Sequence, residues 1–566
     1  MSSSLYERLD VDSYEIRLLH LGHASDGPTL KCSLTRHSLL NPLPYAALSY
    51  CWGIEGNIVD IIVNDKRQPV SANLAAALQR LRQIGVGLVW ADQICVNQSD
   101  NHEKSLQVRH MTQVYSRAEL TYAWLGVAEN DRTVAAIEFL GELRTTEAGL
   151  PDAVHDHASE SSVEPVAFLN NCRRCSLESS FRDLQDLLNR DYWRRRWIIQ
   201  EIAVSSQVRV LCGDHDGIDL QEMEAALDAC TKSSYWLASM NGSYHFIERT
   251  LGFRQRYRLT DTLPLCEVMY ETRDFLSRDR RDRIYALVGV CSDGPILIST
   301  PNYYQATAEI TTDLSRSLIR HRLCYDTIAI EMERQSRAPG LPTWVVDWLS
   351  HNVPKEAHEL ANEMPRLTGE WGIRSLRGAP NTLIVEGVIL GVVVNMSSIL
   401  GSSTRADNEV LAEVANTAEN ARSDNHYTHP FHKYGSKSRT QEAFLRCLIA
   451  PPSCKPSGVN GAKLRKVILK LSSIIGDGQE DNERDDLSQE ECEVTTHFER
   501  ELDNISRDLY RAGKQRRRLV ICDTGLMGMS CPDIVSGAII CFLAGCSSAI
   551  ALRETTAAGT TTGDHC

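Results

Sequence analysis

The stretch DYWRRRWIIQE, residues 191–201, decides the fold that we predict for this chain. Asp191 comes before an aromatic and basic turn, which makes it a candidate helix N-cap. Trp197 and Glu201 lie four residues apart, so they would share one face of that helix. A carboxylate against an aromatic wall loses water, and its pKa rises. The alternative is a core-packing helix in which Glu201 pairs with one of the three arginines at 194–196.

Length and composition bound the class of protein. A chain of 566 residues is too long for one core, so roughly two to four domains are expected. The net charge of −14 argues against a nucleic-acid binder or a protein that binds anionic membranes. The 18 Cys residues lack framework spacing, which is typical of reduced thiols. The N-terminus lacks a basic and then apolar signal pattern, so a cytoplasmic protein is predicted.

One uncharged stretch, from Ile534 to Leu552, approaches the length that would span a membrane. Gly537, Gly545 and three Ser residues interrupt it. We interpret it as two short strands broken at residues 544–546, and we expect no membrane span.

Strand and helix signals alternate near the N-terminus. Ser71 is a candidate N-cap, and Asp100 with Glu103 forms a capping-box pattern before a second helix. Strands are predicted at 14–20, 29–34, 46–51, 87–91, 120–125 and 208–212, with a hairpin over 58–70 that turns at Asn64-Asp65. This alternation predicts an α/β fold with a mainly parallel sheet and helices on both faces.

The remaining patterns predict a helical region and then a β-rich region. Long polar stretches interrupt the β-rich region, and the second of them is acidic and poor in apolar residues. The predicted parts are an α/β domain at 1–215, a helical region at 216–340, a β-rich region at 341–555 with insertions at 401–441 and 476–508, and a disordered tail at 556–566.

Three blocks of residues resemble the signature blocks of the fungal heterokaryon incompatibility (HET) domain, in the same order and over about residues 45–205. The first is Tyr45-x-Ala47-Leu48-Ser49-Tyr50-x-Trp52-Gly53. The second is Val89-Trp90-x-Asp92-x-x-Cys95-Val96-Asn97-Gln98. The third is Arg190-Asp191-Tyr192-Trp193-x-Arg195-x-Trp197-x-x-Gln200-Glu201. Two departures lie later: Gly537-Ala538 stands where Gly-Asp is expected, and the sequence stops before a further strand pair that we expect.

The resemblance implies a part in non-self recognition and programmed cell death, with protein partners and self-association. HET domains are remotely similar to TIR domains, flavodoxin-like signalling modules of innate immunity. Some TIR domains hydrolyse NAD+ with a Glu in a Trp-x-x-x-Glu pattern, which Trp197 and Glu201 match. The resemblance therefore implies a flavodoxin/TIR-like parallel sheet and Glu201 as the catalytic carboxylate. NAD+ would be a substrate, with no resident cofactor and no metal.

A site with a single catalytic carboxylate is sufficient for the chemistry of NAD+ hydrolysis. Cleavage of the nicotinamide–ribose bond develops oxocarbenium character, which one carboxylate stabilises. The nicotinamide ring is already cationic in NAD+ and leaves as a neutral molecule, so no general acid is needed. Beside Glu201, the candidate ligand-binding residues are Ser49, Tyr50, Trp52, Gly53, Asp92, Gln98 and Trp197. Structural roles compete with these: Trp52 and Trp193 as packing anchors, and Asp92 and Gln98 as helix caps.

Two hypotheses of function therefore stand, an NAD+ hydrolase and a non-enzymatic scaffold that recruits partners. A buried Glu201 paired with an Arg would favour the scaffold. A carboxylate facing an open pocket beside Trp52 and Asp92 would favour catalysis. A third hypothesis is an accessory protein of a metabolite cluster that reuses the domain.

The pair Cys172-x-x-Cys175 has no partner motif that would complete a zinc site, so we interpret it as incidental spacing.

Overall fold

This computed structural model divides the chain into two compact units, Met1–Ile310 and Thr311–Cys566. The residues that it describes are 5–10, 13–23, 27, 29–53, 56–128, 131–147, 177–231, 244–322, 338–350, 385, 387–396, 518–530, 533–543, 549–557 and 560–565. The first unit therefore includes most of the predicted helical region as well as the α/β domain.

The first unit contains a nine-stranded sheet. Its strands are β1 Glu15–Leu21, β2 Lys31–Ser38, β3 Ala46–Tyr50, β4 Ile58–Val63, β5 Lys66–Ser71, β6 Leu88–Trp90, β7 Leu120–Trp124, β8 Val208–Leu211 and β9 Ile218–Asp219. They lie in the order β5-β4-β2-β1-β6-β3-β7-β8-β9.

The sheet is mixed, which corrects the prediction of a mainly parallel one. Strands β6, β3, β7 and β8 form a parallel block, and β2 is parallel to β4. The other four pairs are antiparallel. Two antiparallel ribbons, β1–β2 and β4–β5, extend one side of the parallel block. Hairpin strands pair antiparallel because a short turn reverses the chain, whereas parallel strands need a crossover.

The parallel block reverses its direction of winding at β3. Counted along the chain, its four strands lie in the spatial order second, first, third, fourth. Every residue of β3 is buried, so both faces of this strand are covered. In open α/β sheets, the carboxyl ends of the strands at such a switch point form the edge of a crevice.

Helices surround the sheet in the first unit and continue into the second. They are α1 Ala72–Gln83, α2 Asp92–Cys95, α3 Asn101–Arg117, α4 Asp131–Glu147, α5 Leu177–Leu188, α6 Trp197–Ala203, α7 Leu220–Thr231, α8 His245–Arg258, α9 Leu265–Glu271, α10 Asp282–Tyr285, α11 Gly294–Leu297 and α12 Thr307–Arg322, with 3-10 helices at Asp191–Arg194 and Val288–Val290. One apolar core joins buried residues of β7 and β8 to those of α4 through α8.

Two local signals of the sequence, the hairpin turn and the first helix cap, hold in the structure, and a third holds in part. Asn64 and Asp65 both have positive φ, 49° and 61°, as a two-residue type I′ hairpin requires, so the predicted turn is confirmed. The Ser71 hydroxyl caps α1 by accepting from the Leu74 amide at 3.2 Å. Asp100 caps α3, but only half of the predicted capping box forms. The carboxylate of Glu103 accepts from the Asn97 amide at 2.7 Å and pairs with a buried Arg instead of returning to the cap.

The second unit contains a six-stranded antiparallel sheet in the order β12-β11-β10-β13-β14-β15. Its strands are β10 Gly387–Met396, β11 Arg518–Cys522, β12 Met527–Ser530, β13 Ile539–Leu543, β14 Ile550–Ala557 and β15 Thr560–His565. The two strands predicted within 534–552 are present. Strand β15 occupies residues for which the sequence predicted a disordered tail, and the β-branched Thr residues there favour extended backbone.

Several predictions fall outside the described residues: the insertions at 401–441 and 476–508, and the pair Cys172 and Cys175. Within the described residues, none of the helices is long and apolar enough to cross a membrane. Over the same residues, no group of three or more His, Cys, Asp or Glu side chains is placed to hold a metal ion.

Candidate functional site

The stretch 191–201 folds as two short helices, so the single helix predicted there is wrong. A 3-10 helix covers Asp191–Arg194, Arg195 is extended, and α6 begins at Trp197. Asp191 is exposed and caps neither helix. Leu276, far along the chain, accepts from the Arg196 amide at 2.9 Å and donates to the Arg194 carbonyl at 2.7 Å. This strand-like bridge holds residue 195 out of the helical conformation.

Glu201 lies on α6 with 1% of its surface exposed. The two Arg195 guanidinium nitrogens Nη1 and Nη2 reach its two carboxylate oxygens at 3.3 Å each. The hydroxyl of Ser49, near the end of β3, donates to the same carboxylate through a short hydrogen bond. The interpretation in which Glu201 pairs with one of the arginines at 194–196 is confirmed, and the partner is Arg195.

Tyr192 completes this cluster. Its hydroxyl lies 2.7 Å from the Ser49 hydroxyl. Ser49 has a single hydroxyl proton. Because Ser49 gives that proton to Glu201, Tyr192 must be the donor between the two hydroxyls. We call Ser49, Tyr192, Arg195 and Glu201 the carboxylate cluster.

The charges in the cluster depend on each other. Burial raises the pKa of Glu201 above its ordinary 4.5, and the Arg195 charge and the Ser49 hydrogen bond oppose this rise. Burial alone would lower the pKa of Arg195, but the Glu201 carboxylate raises that pKa above its usual value. Burial also raises the pKa of the Tyr192 phenol, so it stays protonated and able to donate.

A second group of predicted residues meets at the loop after β6. The Trp52 indole nitrogen donates to the Asp92 carboxylate at 2.8 Å. The Gln98 side chain donates to the Asp92 backbone carbonyl at 2.8 Å. Tyr50 is buried beside them, and burial followed by the Asp92 charge raises the pKa of Tyr50 well above 10. Gly53 is exposed in the left-handed region at φ 83°.

The two tryptophans of the 191–201 stretch serve packing and structural hydrogen bonds. Trp193 is fully buried and donates to the Leu187 carbonyl at 3.2 Å, which confirms its predicted role as a core anchor. The half-buried Trp197 donates to the Asp282 carboxylate at 3.1 Å. Tyr303 donates to the other oxygen of Asp282 at 2.6 Å. Trp197 thus fastens α6 to the helices that follow the α/β domain.

Sequence reasoning named Arg196 only as a candidate partner of Glu201 and did not single out Arg254, yet both are buried arginines that hold α6 in place. Arg196 donates to the Arg283 carbonyl at 2.8 Å and to the carbonyl of Thr272 at the end of α9. Arg254, on α8, donates to the Ile202 carbonyl in the last turn of α6 and to the Ser205 carbonyl just after this helix at 2.6 Å. A guanidinium stabilises the free carbonyls at a helix C-terminus. No sequence signal distinguishes these two arginines from exposed ones.

The structure therefore brings Ser49 and Glu201 into direct contact, and it groups Trp52, Asp92 and Gln98 beside Tyr50. Ser49, Tyr50 and Glu201 are each 1% exposed. The carboxylate is closed to solvent in this conformation.

Comparison with known proteins supports the resemblance to the HET domain that the three sequence blocks indicated. Residues 45–201 match the family model of the heterokaryon incompatibility protein (HET), beginning at Tyr45 and ending at Glu201, so the chain carries a HET domain. The chain is 26% identical over 469 residues to the heterokaryon incompatibility protein 6, OR allele, of Neurospora crassa. That alignment covers 70% of this chain and 66% of the relative, slightly under two thirds of its length. No solved structure matches the chain.

Proposed function

We propose that this chain acts in heterokaryon incompatibility as a cytoplasmic signalling protein of programmed cell death, and that its HET domain recruits protein partners without catalysis. The HET match and the likeness to an incompatibility protein of Neurospora crassa support the pathway. A buried, ion-paired Glu201 supports the non-enzymatic form of the proposal.

The state of Glu201 carries this proposal. A carboxylate that stabilises an oxocarbenium ion must contact the ribose of its substrate. Here the forked Arg195 contact and the Ser49 hydroxyl occupy both oxygens of Glu201. Separating a buried ion pair leaves an uncompensated charge, which costs about 3–5 kcal/mol. In the described conformation the cluster therefore stabilises the junction of β3 and α6.

NAD+ hydrolysis by a flavodoxin/TIR-like domain is the second candidate, and one observation favours it. The parallel strands lie in the order second, first, third, fourth, which is the start of the flavodoxin-like order. Ser49 lies near the carboxyl end of the strand at the switch point and contacts Glu201. Catalysis would require Arg195 to leave Glu201, for instance when the domain self-associates.

A single experiment separates the two candidates. The full chain and its Glu201→Gln variant are expressed from an inducible promoter in a filamentous fungus, and viability and cellular NAD+ are followed together. We expect death with cellular NAD+ unchanged until viability falls. The purified full chain should also leave NAD+ intact at high protein concentration with a crowding agent.

Glutamine keeps the size of Glu201 and can accept from Ser49, so the variant tests charge without opening a cavity. Release of nicotinamide by the wild type and not by a folded Glu201→Gln variant would overturn the scaffold and establish the hydrolase. No effect of the wild type on viability would contradict both candidates.

A further inference from the structure

The loop between α9 and α10 is paired with the segment that carries Arg195. We call residues 272–278 of this loop the strap. Leu276 of the strap forms an isolated parallel bridge with Arg195. The Leu276 amide donates to the Arg194 carbonyl at 2.7 Å, and the Leu276 carbonyl accepts from the Arg196 amide at 2.9 Å. The strap is therefore bonded to the backbone on both sides of residue 195.

The two arginines at this bridge have different partners. Arg195 contacts both carboxylate oxygens of Glu201. Arg196 donates to the carbonyl of Thr272, within the strap. The strap and the contact with Glu201 are thus joined through the backbone conformation of one residue.

The extended conformation of Arg195 depends on one torsion angle. Its φ of −69° is already helical, whereas its ψ of 133° is extended. Arg196 is helical, with φ −67° and ψ −35°. Arginine favours helix, so the bridge to the strap opposes the local preference of this segment. In a continuous helix Arg195 and Glu201 would lie about 120° apart around the axis and about 9 Å apart along it, too far for the forked contact.

Arg195 closes the carboxylate from the solvent side. The Arg195 side chain is 17% exposed, and that of Glu201 is 2% exposed. The strap itself has an exposed side, because Leu276 is 53% exposed. Phe275 anchors the strap: it is fully buried, and its ring lies 5.0 Å from that of Phe246. Solvent therefore reaches the strap but does not reach Glu201.

We propose that the strap is an autoinhibitory contact that keeps Glu201 closed by holding Arg195 extended, and that release of the strap switches the HET domain on. Release lets residue 195 take its helical conformation, which separates Arg195 from Glu201. A buried carboxylate without its partner is costly, so the bridge and the ion pair favour the closed state together. The segment is thus a two-state element that a local event can bias. The inference rests on the proposed function for its effect on cell death.

Carboxyl footprinting of the full chain tests the strap. A water-soluble carbodiimide with glycinamide labels accessible carboxylates, and peptide mass spectrometry locates the label. Leu276→Pro removes the amide that donates to Arg194, whereas the matched control Leu276→Ala keeps that amide. We expect Glu201 to be labelled about tenfold faster in Leu276→Pro, because the lost hydrogen bond no longer opposes local opening. Leu276→Ala should match the wild type, and the exposed Asp216 should be labelled equally in all three chains.

The same three chains are then expressed in a filamentous fungus. Leu276→Pro should cause death at a lower inducer concentration than the other two. Unchanged labelling of Glu201 in a folded Leu276→Pro variant would overturn the proposal. Faster labelling with equal killing by all three chains would overturn the regulatory role of the strap. Absence of killing by every chain would contradict the proposed function, and the labelling would still decide whether the strap closes Glu201.

Hydrogen exchange of the wild type keeps the test decisive if Leu276→Pro does not fold. In urea below the unfolding transition, exchange of the Arg196 amide and labelling of Glu201 should accelerate together, because one local opening exposes both. Labelling of Glu201 while the Arg196 amide stays protected would show that the carboxylate opens without the strap, which overturns the proposal.

Discussion

Arg195 and Glu201 form a forked ion pair, with two nitrogen–oxygen distances of 3.3 Å around a carboxylate that is 1% exposed. The two residues lie six apart in sequence, but they meet because Arg195 is extended while Glu201 is helical. The stability of the HET domain should depend strongly on this pair.

Arg195→Ala should lower the free energy of unfolding by about 3–5 kcal/mol, because it leaves the Glu201 charge buried without its partner. Urea denaturation measures the loss. Asp216→Ala is the matched control: it breaks a contact with Arg80 in which the Asp216 side chain is 90% exposed, so it should change little. Equal losses in the two variants would contradict a special role for the buried pair.

Glu201 should also make stability depend on pH. Its folded pKa lies above the unfolded value of 4.5, so the folded state holds the proton more tightly. The stabilisation associated with that proton is present below pH 4.5 and is lost as pH rises through the folded pKa. Relative to Glu201→Gln, the wild type should therefore lose stability on going from pH 4.5 towards neutrality, as measured by urea denaturation at several pH values. A difference that grows in favour of the wild type would contradict this sign.

Ser49→Ala should destabilise the domain by about 1–3 kcal/mol, because it leaves both the Glu201 carboxylate and the Tyr192 hydroxyl with a lost partner. Tyr192→Phe removes only the hydrogen bond between the Tyr192 and Ser49 hydroxyls and keeps the ring in the core, so it should cost about 1 kcal/mol. Thermal denaturation of both variants shows which of them loses more stability. A larger effect of Tyr192→Phe would show that the hydroxyl proton of Ser49 is not directed to Glu201.

Gly289→Ala should destabilise the first unit by about 1–3 kcal/mol through overpacking. The added methyl carbon would lie 1.9 Å from the Thr112 hydroxyl and 2.7 Å from the amide of Gln200, a residue of α6. These two groups form a hydrogen bond with each other. Gly252→Ala, within α8 and with no atom within 4 Å of the new carbon, should stabilise the unit by about 0.5–1 kcal/mol. Parallel urea titrations should give opposite signs for the two variants.

Cys32 and Cys95 should resist alkylation in the native protein. Burial raises the pKa of each thiol to about 12, so the reactive thiolate is about one part in ten thousand at pH 8. Iodoacetamide labelling followed by peptide mass spectrometry should find both residues unmodified until the chain is unfolded. Complete labelling of either residue in the folded chain would contradict its burial.

Much of the fold is predictable because its signals are local. The turn at Asn64-Asp65 needs two residues that tolerate positive φ, and the sequence provides them. The caps Ser71 and Asp100 bond to amides within three residues. The match to the HET family model is likewise predictable from the sequence, because it depends on the order of residues within the three blocks.

The sequence by itself determined the α/β alternation, the hairpin, the helix caps Ser71 and Asp100 and the HET domain, because each depends on neighbours in the chain or on a linear pattern. Only the tertiary structure decided which arginine meets Glu201. The Leu276 backbone bonds to Arg194 and Arg196 and holds Arg195 between them extended, which directs Arg195 to the carboxylate while Arg196 binds distant carbonyls. Three adjacent arginines are equivalent in sequence. Their roles differ because backbone pairing and burial arise from residues far along the chain, which a local pattern does not encode.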